Sequence, residues 1–444
     1  MLKGRFSPAT GRFPWRRPAL VGALAWLGFA FFFLRGAAGV PFHPDESTYL
    51  YMSSDLEAMV RAPLSLRYDP QAADEPRQRY RLLDAPLTRL AIGVARQLAG
   101  GIPAPPLDWD WALTWEQNAA TGALPAPPLL GAGRFAAGCL ALLALIFLYR
   151  AGERLGGWPL GALAAGLLAF NALYLLHARR AMAEGPLLLG VALAMWGFLE
   201  GERRPWLAGL GAALAVCAKH STLALAPVGL LAVAWLVAAP PSGRWRRRAK
   251  NLLQFGGVFV LVVVALNPWL WSRPWEALPA SLSARNRLLA RQVADIARVY
   301  PHQVSETAGE RLLALVDNLF INPLAFAEVG KYAPGTAASE AAYLAHPLHT
   351  LLRGRVGGGL LLFLCLAGVA LALVSLRRAG ASRRRAIVLM ILAGGAQLAG
   401  MIALVPLNWQ RYVIPLLPFA CLWIAFALRG PQDRRPAPPQ RVSP

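Results

Sequence analysis

The sequence predicts an all-α polytopic membrane protein of about ten transmembrane helices, with two long loops on one face that carry interfacial helices. Three observations carry this. The chain of 444 residues is 56% hydrophobic and only 15% charged, where a soluble domain holds about 25% charged residues. Apolar runs near the roughly 20 residues needed to cross a bilayer core recur from Ala19 to Leu428. The net charge of +22 is distributed as short basic breaks between those runs. That pattern reads as membrane topology and excludes nucleic-acid binding, the usual meaning of such a charge in a soluble chain.

Taken in order, Met1–Pro18 is a basic segment with Lys3, Arg5, Arg12, Arg16 and Arg17, expected to be a cytoplasmic N-terminus. Span one, Ala19–Val40, is too long and too poor in small cleavage-site residues for a signal peptide and reads as an uncleaved anchor. Residues 41–130 form the first long outer loop. It holds two amphipathic stretches, Glu46–Val60 and Asp84–Leu98, the second with Leu87, Leu90, Ala91 and Val94 at helical spacing. Trp109, Trp111 and Trp115 close that loop and suit the headgroup level.

Span two is Gly133–Tyr149, span three Trp158–Leu176 and span four Pro186–Leu199. Two runs follow, Trp206–Ala218 and Ser221–Ala239, parted by Lys219 and His220. Span seven is Leu252–Leu270. Residues 271–355 form the second outer loop, in which Leu282–Val299 reads as a basic amphipathic helix. Val356–Leu376, Ala386–Val405 and Tyr412–Leu428 complete the set, and residues 429–444 are a basic, Pro-rich tail expected in the cytoplasm. Cys139, Cys217, Cys365 and Cys421 all lie inside apolar runs without metal spacing and read as small buried residues. His302, His346 and His349 form no convincing metal constellation. No internal repeat suggests a transporter's inverted halves.

Sidedness follows from charge. With the N-terminus in the cytoplasm and spans alternating, 23 basic residues and only four acidic ones fall inside; the other 19 of the 23 acidic residues fall outside. This obeys the positive-inside rule. It puts both long loops on the outer face. An Asp at mid-bilayer costs roughly 2.5–3.5 kcal/mol on insertion scales, so Asp45 and Glu46, just after span one, belong at the membrane edge. There Asp45 either caps the helix beginning near Ser47 or does chemistry. Around it the same face collects Asp84, Arg89, Arg134, Arg179, Arg180, Glu184, Lys219, His220, Arg411 and Tyr412. Singly, each has a structural explanation, such as arginines snorkelling to headgroups. Together they are the carboxylates and cations that a reaction on an anionic lipid uses.

The order of these motifs resembles the GT-C superfamily of integral-membrane glycosyltransferases, most closely the branch of protein O-mannosyltransferases and aminoarabinose transferases of lipid A. His43-Pro44-Asp45-Glu46 matches the family's Asp-Glu pair after span one. Asp84-Ala85-Pro86-Leu87 stands in place of a His/Lys-Pro-Pro-Leu element, a carboxylate replacing a base, with Arg89 where the mannosyltransferases often have Lys. Arg134 through Gly156-Gly157 resembles the family's second span. Arg179–Leu187 resembles its Arg…Asp-x-x-Leu connection, with Glu184 for Asp. Lys219 resembles the Lys after span five, and Arg411-Tyr412 with Pro415 and Pro418 the element opening the last span.

The resemblance implies a GT-C-like bundle and a sugar donor linked through phosphate to a polyprenol, with a lipid, glycan or protein acceptor. A phosphate leaving group calls for preorganised cations; Arg411, Lys219 and Arg179 or Arg180 are the candidates. An attacking hydroxyl calls for a general base, assigned to Asp45, with Glu46 orienting the acceptor or holding a divalent ion (Mg or Mn). A single displacement inverts the anomeric centre. Arg-, Ala- and Pro-rich usage hints at a GC-rich bacterial genome, hence a plasma (inner) membrane protein in contact with membrane lipids, its active site extracytoplasmic. Competing readings are a transporter or flippase of lipid-linked sugar and a non-enzymatic membrane assembly protein.

Overall fold

The computed structural model describes residues 16–72, 74–235 and 244–430; the basic N-terminal residues before Arg16, the end of the Ser221–Ala239 run and most of the C-terminal tail lie outside them. Among the described residues every regular element is helical, and the one extended pairing is an isolated antiparallel bridge between Val304 and Leu407. Six helices among the described residues are long and apolar enough to cross a membrane: Gly22–Gly39, Pro127–Gly156, Trp245–Leu266, Gly354–Ser375, Ala381–Leu404 and Gln410–Arg429. Four further apolar helices are shorter: Trp158–Ala169, Glu184–Leu199, Pro205–Ala218 and His220–Ala234. They occupy the remaining expected spans. A 12-residue helix rises only about 18 Å, short of a ~30 Å hydrocarbon core.

Glu184–Leu199 is the centre of the bundle. It is apolar on all sides, and almost every residue in it is buried, as expected of a helix enclosed by others. Small residues bring its neighbours close. A Cβ on Gly185 would strike the Ala137 carbonyl of the Pro127–Gly156 helix, and one on Gly190 would strike the Ala215 backbone of Pro205–Ala218. This is the close packing that replaces hydrophobic driving force inside lipid.

Three expectations for the outer loops change. The Glu46–Val60 stretch is two helices, Pro44–Met52 and Asp55–Arg61. Ser53 and Ser54 break it by donating their hydroxyls to the Leu50 and Tyr51 carbonyls, a local competition with the helix ladder. The next helix starts at Leu87 rather than Asp84, because Asp84 ends a separate helix, Pro76–Leu83, and Ala85 precedes a proline that disfavours helical backbone. Its buried face is Thr88, Arg89, Leu90, Ile92, Gly93 and Arg96, so Leu90 is buried as expected while Val94 is exposed. Ion pairs explain the rotation: Arg89 meets Asp55 and Arg96 meets Glu57. Finally, Trp109 does not sit among headgroups. It is 2% exposed in an aromatic cluster with Phe42, Trp115 and Tyr332 that ties the first loop to the second.

In the second loop the expected basic helix runs over Pro274–Val299. It lies on Pro76–Leu83, where Ser281 and Arg285 donate to the Leu82 and Leu83 carbonyls. The shorter Ala308–Val316 and Ala333–Leu344 follow.

Candidate active site

The site is built at the exit of the first spanning helix. His43 is the N-cap of Pro44–Met52: its ring Nδ1 accepts from the Asp45 N–H at 3.1 Å, and its own N–H donates to Glu46 at 3.0 Å. The expectation that Asp45 might cap a helix starting near Ser47 is thus corrected. The His43 side chain does the capping, and Pro44 supplies the first helical residue, where a missing N–H costs nothing. Asp45 is left free of the cap and turns its carboxylate to Arg411.

Its partner is Arg411, 366 positions away. Arg411 opens the Gln410–Leu416 turn before the last helix and bonds the Asp45 carboxylate directly. On its other side Arg411 Nε lies 3.2 Å from Glu328, and Glu328 lies 2.5 Å from His43 Nε2. Since Nδ1 accepts from a backbone N–H, the ring proton is on Nε2 and is donated to Glu328. Asp45, Arg411, Glu328 and His43 therefore close a ring. Glu328 was not singled out from sequence. The signal available was a lone acid in the otherwise apolar run Pro323–Val329 of the second loop. Burial pushes both carboxyls up, but Arg411 outweighs it. Asp45 ends below its ordinary value, and so does Glu328, with help from the His43 ring. Both are carboxylates at neutral pH.

A second ion pair sits beside the first. Lys219, at the end of Pro205–Ala218, donates to Glu184 at 3.2 Å. Its ammonium is 4.9 Å from the centre of the Tyr412 ring, which also has the Arg411 guanidinium 5.7 Å away. Tyr412 stacks on Trp409. His220 follows Lys219 on a short turn. Asp84 faces the same region, close to the charges of Arg285, Asp45, Arg89 and Asp108; burial, reinforced by the neighbouring acids, raises its carboxyl to about 6.

The remaining expected site residues are placed elsewhere. Glu46 does not face Asp45's surroundings. It is wholly buried and accepts four hydrogen bonds: Arg134 Nε and Nη2, both at 2.8 Å, Ala181 N–H at 2.8 Å and His43 N–H. With its oxygens consumed it has no capacity for a divalent ion or an acceptor. Among the described residues no group of three or more His, Cys, Asp or Glu is placed to hold a metal.

Arg134, Arg179 and Arg180 turn inward rather than toward a donor. Arg134 donates to the Ala37 and Val40 carbonyls at 2.8 Å each. Arg179 donates to Phe33 and Phe32, and Arg180 to Pro41 and Phe326. These carbonyls belong largely to the last turn of the first helix and the irregular segment leaving it. Such groups lack helical partners, and arginine forks satisfy them. Three buried arginines thereby aim His43–Glu46. Arg89 is pinned to Asp55 at 3.2 Å and to the Asp84 carbonyl, which fixes the loop rather than contacting a ligand.

No curated protein sequence matches the chain. Among solved structures it is similar to ArnT from Cupriavidus metallidurans bound to undecaprenyl phosphate, at 14% identity and a TM-score of 0.49 over 93% of this chain and 60% of that one. The S. cerevisiae protein O-mannosyltransferase complex bound to the sugar donor gives 16% and 0.42, over 59% and 34%. The Archaeoglobus fulgidus oligosaccharyltransferase in the apo form gives 13% and 0.47, over 91% and 50%. The chain thus spans between about a third and three fifths of the length of these proteins. Residues 107–279, less than half of the sequence, match the family described as dolichyl-phosphate-mannose-protein mannosyltransferase, a family of the GT-C glycosyltransferases that the order of its motifs resembles.

Proposed function

We propose that the protein is a GT-C-type glycosyltransferase that moves a sugar from a polyprenyl-phosphate donor to an acceptor hydroxyl. The observation that carries this reading is the contact of Asp45 with Arg411. A carboxylate from the exit of the first spanning helix and a guanidinium from the start of the last one meet beside the Glu184–Lys219 pair. A base and two cations within one cluster are what this transfer requires. The family match over residues 107–279 supports the reaction class.

Asp45 is the proposed general base. Its carboxyl is ionised at neutral pH and partly exposed, with 23% of the side chain open, whereas Glu328 at 7% is held between Arg411 and His43. As the acceptor oxygen attacks the anomeric carbon, its proton passes to Asp45; the sugar–phosphate bond breaks and the electron pair leaves on the phosphate. Arg411 and Lys219 face that developing charge. Preorganised cations of this kind cost no reorganisation at the moment of reaction. When the donor phosphate arrives, Arg411 exchanges part of its contact with Asp45 for the phosphate, which frees Asp45 for the acceptor. A direct displacement inverts the anomeric centre.

The arginine-rich ends of Pro127–Gly156 and Ala381–Leu404 lie away from Asp45. With the positive-inside rule this supports an extracytoplasmic site in a bacterial inner membrane. Purified protein given a mass-tagged polyprenyl-phosphate sugar and candidate acceptors tests the reading: transfer or donor hydrolysis supports it. Movement of the donor across a vesicle without chemistry would favour a flippase, and no action on the donor an assembly role.

A further inference from the structure

We propose a second ligand site, for a phosphate-bearing lipid headgroup, on the face opposite Asp45. A cavity of about 1380 Å³ lies where the helices Pro127–Gly156, Trp158–Ala169, Glu184–Leu199, Ala381–Leu404 and Leu417–Arg429 end. Arg134 marks the Asp45 end of Pro127–Gly156 and Arg150 the cavity end. The 16 residues between them rise about 24 Å, most of a bilayer core.

Charge, helix ends and membrane depth argue for this ligand independently. Seven arginines and three glutamates line the cavity. Each glutamate already faces an arginine: Glu153 with Arg150 at 2.9 Å, Glu200 with Arg154, Glu202 with Arg247 at 3.8 Å. Arg203 and Arg378 have no side-chain partner among the described residues, so the lining carries uncompensated positive charge. The N-terminus of Ala381–Leu404 also opens into it. That helix has no acid in its first turn and no side-chain cap, leaving N–H groups that favour an anion. Trp158 lines the same cavity and is 67% exposed, as an indole at headgroup depth would be. The apolar part of the lining that stays accessible includes Pro159, Leu199 and Ala386, all half-buried.

A basic wall and an accessible apolar wall at one depth match a phosphodiester headgroup with the start of its acyl chains. Basic pockets between spanning helices recognise anionic lipids in this way. Free inorganic phosphate shares the charge but not the apolar part. The inference is independent of the chemistry at Asp45, which the variants below leave intact.

The test is native mass spectrometry of the purified full chain titrated with phosphatidylglycerol, phosphatidylcholine or inorganic phosphate. Wild type is expected to retain phosphatidylglycerol in preference to phosphatidylcholine. Losing about fivefold per arginine, Arg203→Gln/Arg378→Gln is expected to bind phosphatidylglycerol about thirtyfold more weakly. Arg203→Lys/Arg378→Lys should keep most of the affinity. Arg246→Gln/Lys250→Gln, two exposed cations that do not line the cavity, should change it less than about threefold. Equal losses from the two Gln pairs would reduce the effect to diffuse surface charge and overturn the site. So would an absence of preference between the two lipids. Saturation of the site by inorganic phosphate at the lipid's own concentration would assign it to a free anion and overturn the lipid reading.

Discussion

Neighbouring acids Asp45 and Glu46 are expected to fail in opposite ways when made neutral. Glu46 Oε2 accepts from Arg134 Nε and the Ala181 N–H, and Oε1 accepts from Arg134 Nη2 and the His43 N–H. In Glu46→Gln one oxygen becomes an NH2 group. Whichever one it is, that group then faces an arginine donor and a backbone donor at once, and Arg134 is left as a buried uncompensated charge. Breaking a buried pair by removing one partner costs about 3–5 kcal/mol, a large share of a typical folding stability of about 5–15 kcal/mol. Asp45→Asn differs. Its amide oxygen still accepts from Arg411, Arg411 keeps Glu328, and the position is partly open. The expected cost is about 1 kcal/mol or less. Loss of a general base instead lowers turnover by about 10²–10⁴-fold. Thermal melting in lipid nanodiscs, paired with a transfer assay on the folded fraction, reads both quantities. Glu46→Gln should melt much lower, and Asp45→Asn should melt near wild type without turning over. A Glu46→Gln protein that melts like wild type, or an Asp45→Asn protein with normal turnover, would refute the assignment.

Three further outcomes follow from the same geometry. Arg411→Ala should raise the KM for the lipid-phosphate donor at least tenfold, and Arg411→Lys should recover only part of it, since a point charge cannot bridge Asp45 and Glu328 as a fork does; donor titration checks this. Asp84 has a raised carboxyl near 6, so its neutral form is the one the fold favours. Its contribution to stability is full below about pH 4 and is lost as pH rises through about 6; melting curves between those values should show that slope, and Asp84→Asn should remove it. Gly185→Leu should prevent the Glu184–Leu199 helix from seating against the Ala137 carbonyl, seen as a collapse in the yield of monodisperse protein on size-exclusion chromatography.

Much of the architecture was legible from residue order because bilayer depth is a one-dimensional constraint. Apolar run length and the placement of arginines located the long spans, and an Asp-Glu pair after the first of them pointed to the candidate site. Side-chain direction was not legible. Arg179 or Arg180 looked like a phosphate ligand, and Arg134 like a substrate-site residue, because an arginine at a span end serves a headgroup, a phosphate or a carbonyl equally well. Only their distances to the carbonyls of Phe33, Ala37, Val40 and Pro41 separate these roles. Glu328 was passed over because a single acid in an irregular loop has no periodicity to mark it.

By itself, then, the sequence determined a helical membrane chain and which acidic pair to suspect. Hydrophobicity and charge act residue by residue, so those properties survive without knowledge of contacts. The tertiary structure alone decided that Asp45 meets Arg411 while Glu46 is locked by Arg134, because two carboxylates adjacent in a helix point in different directions and find partners more than 80 and 360 positions away.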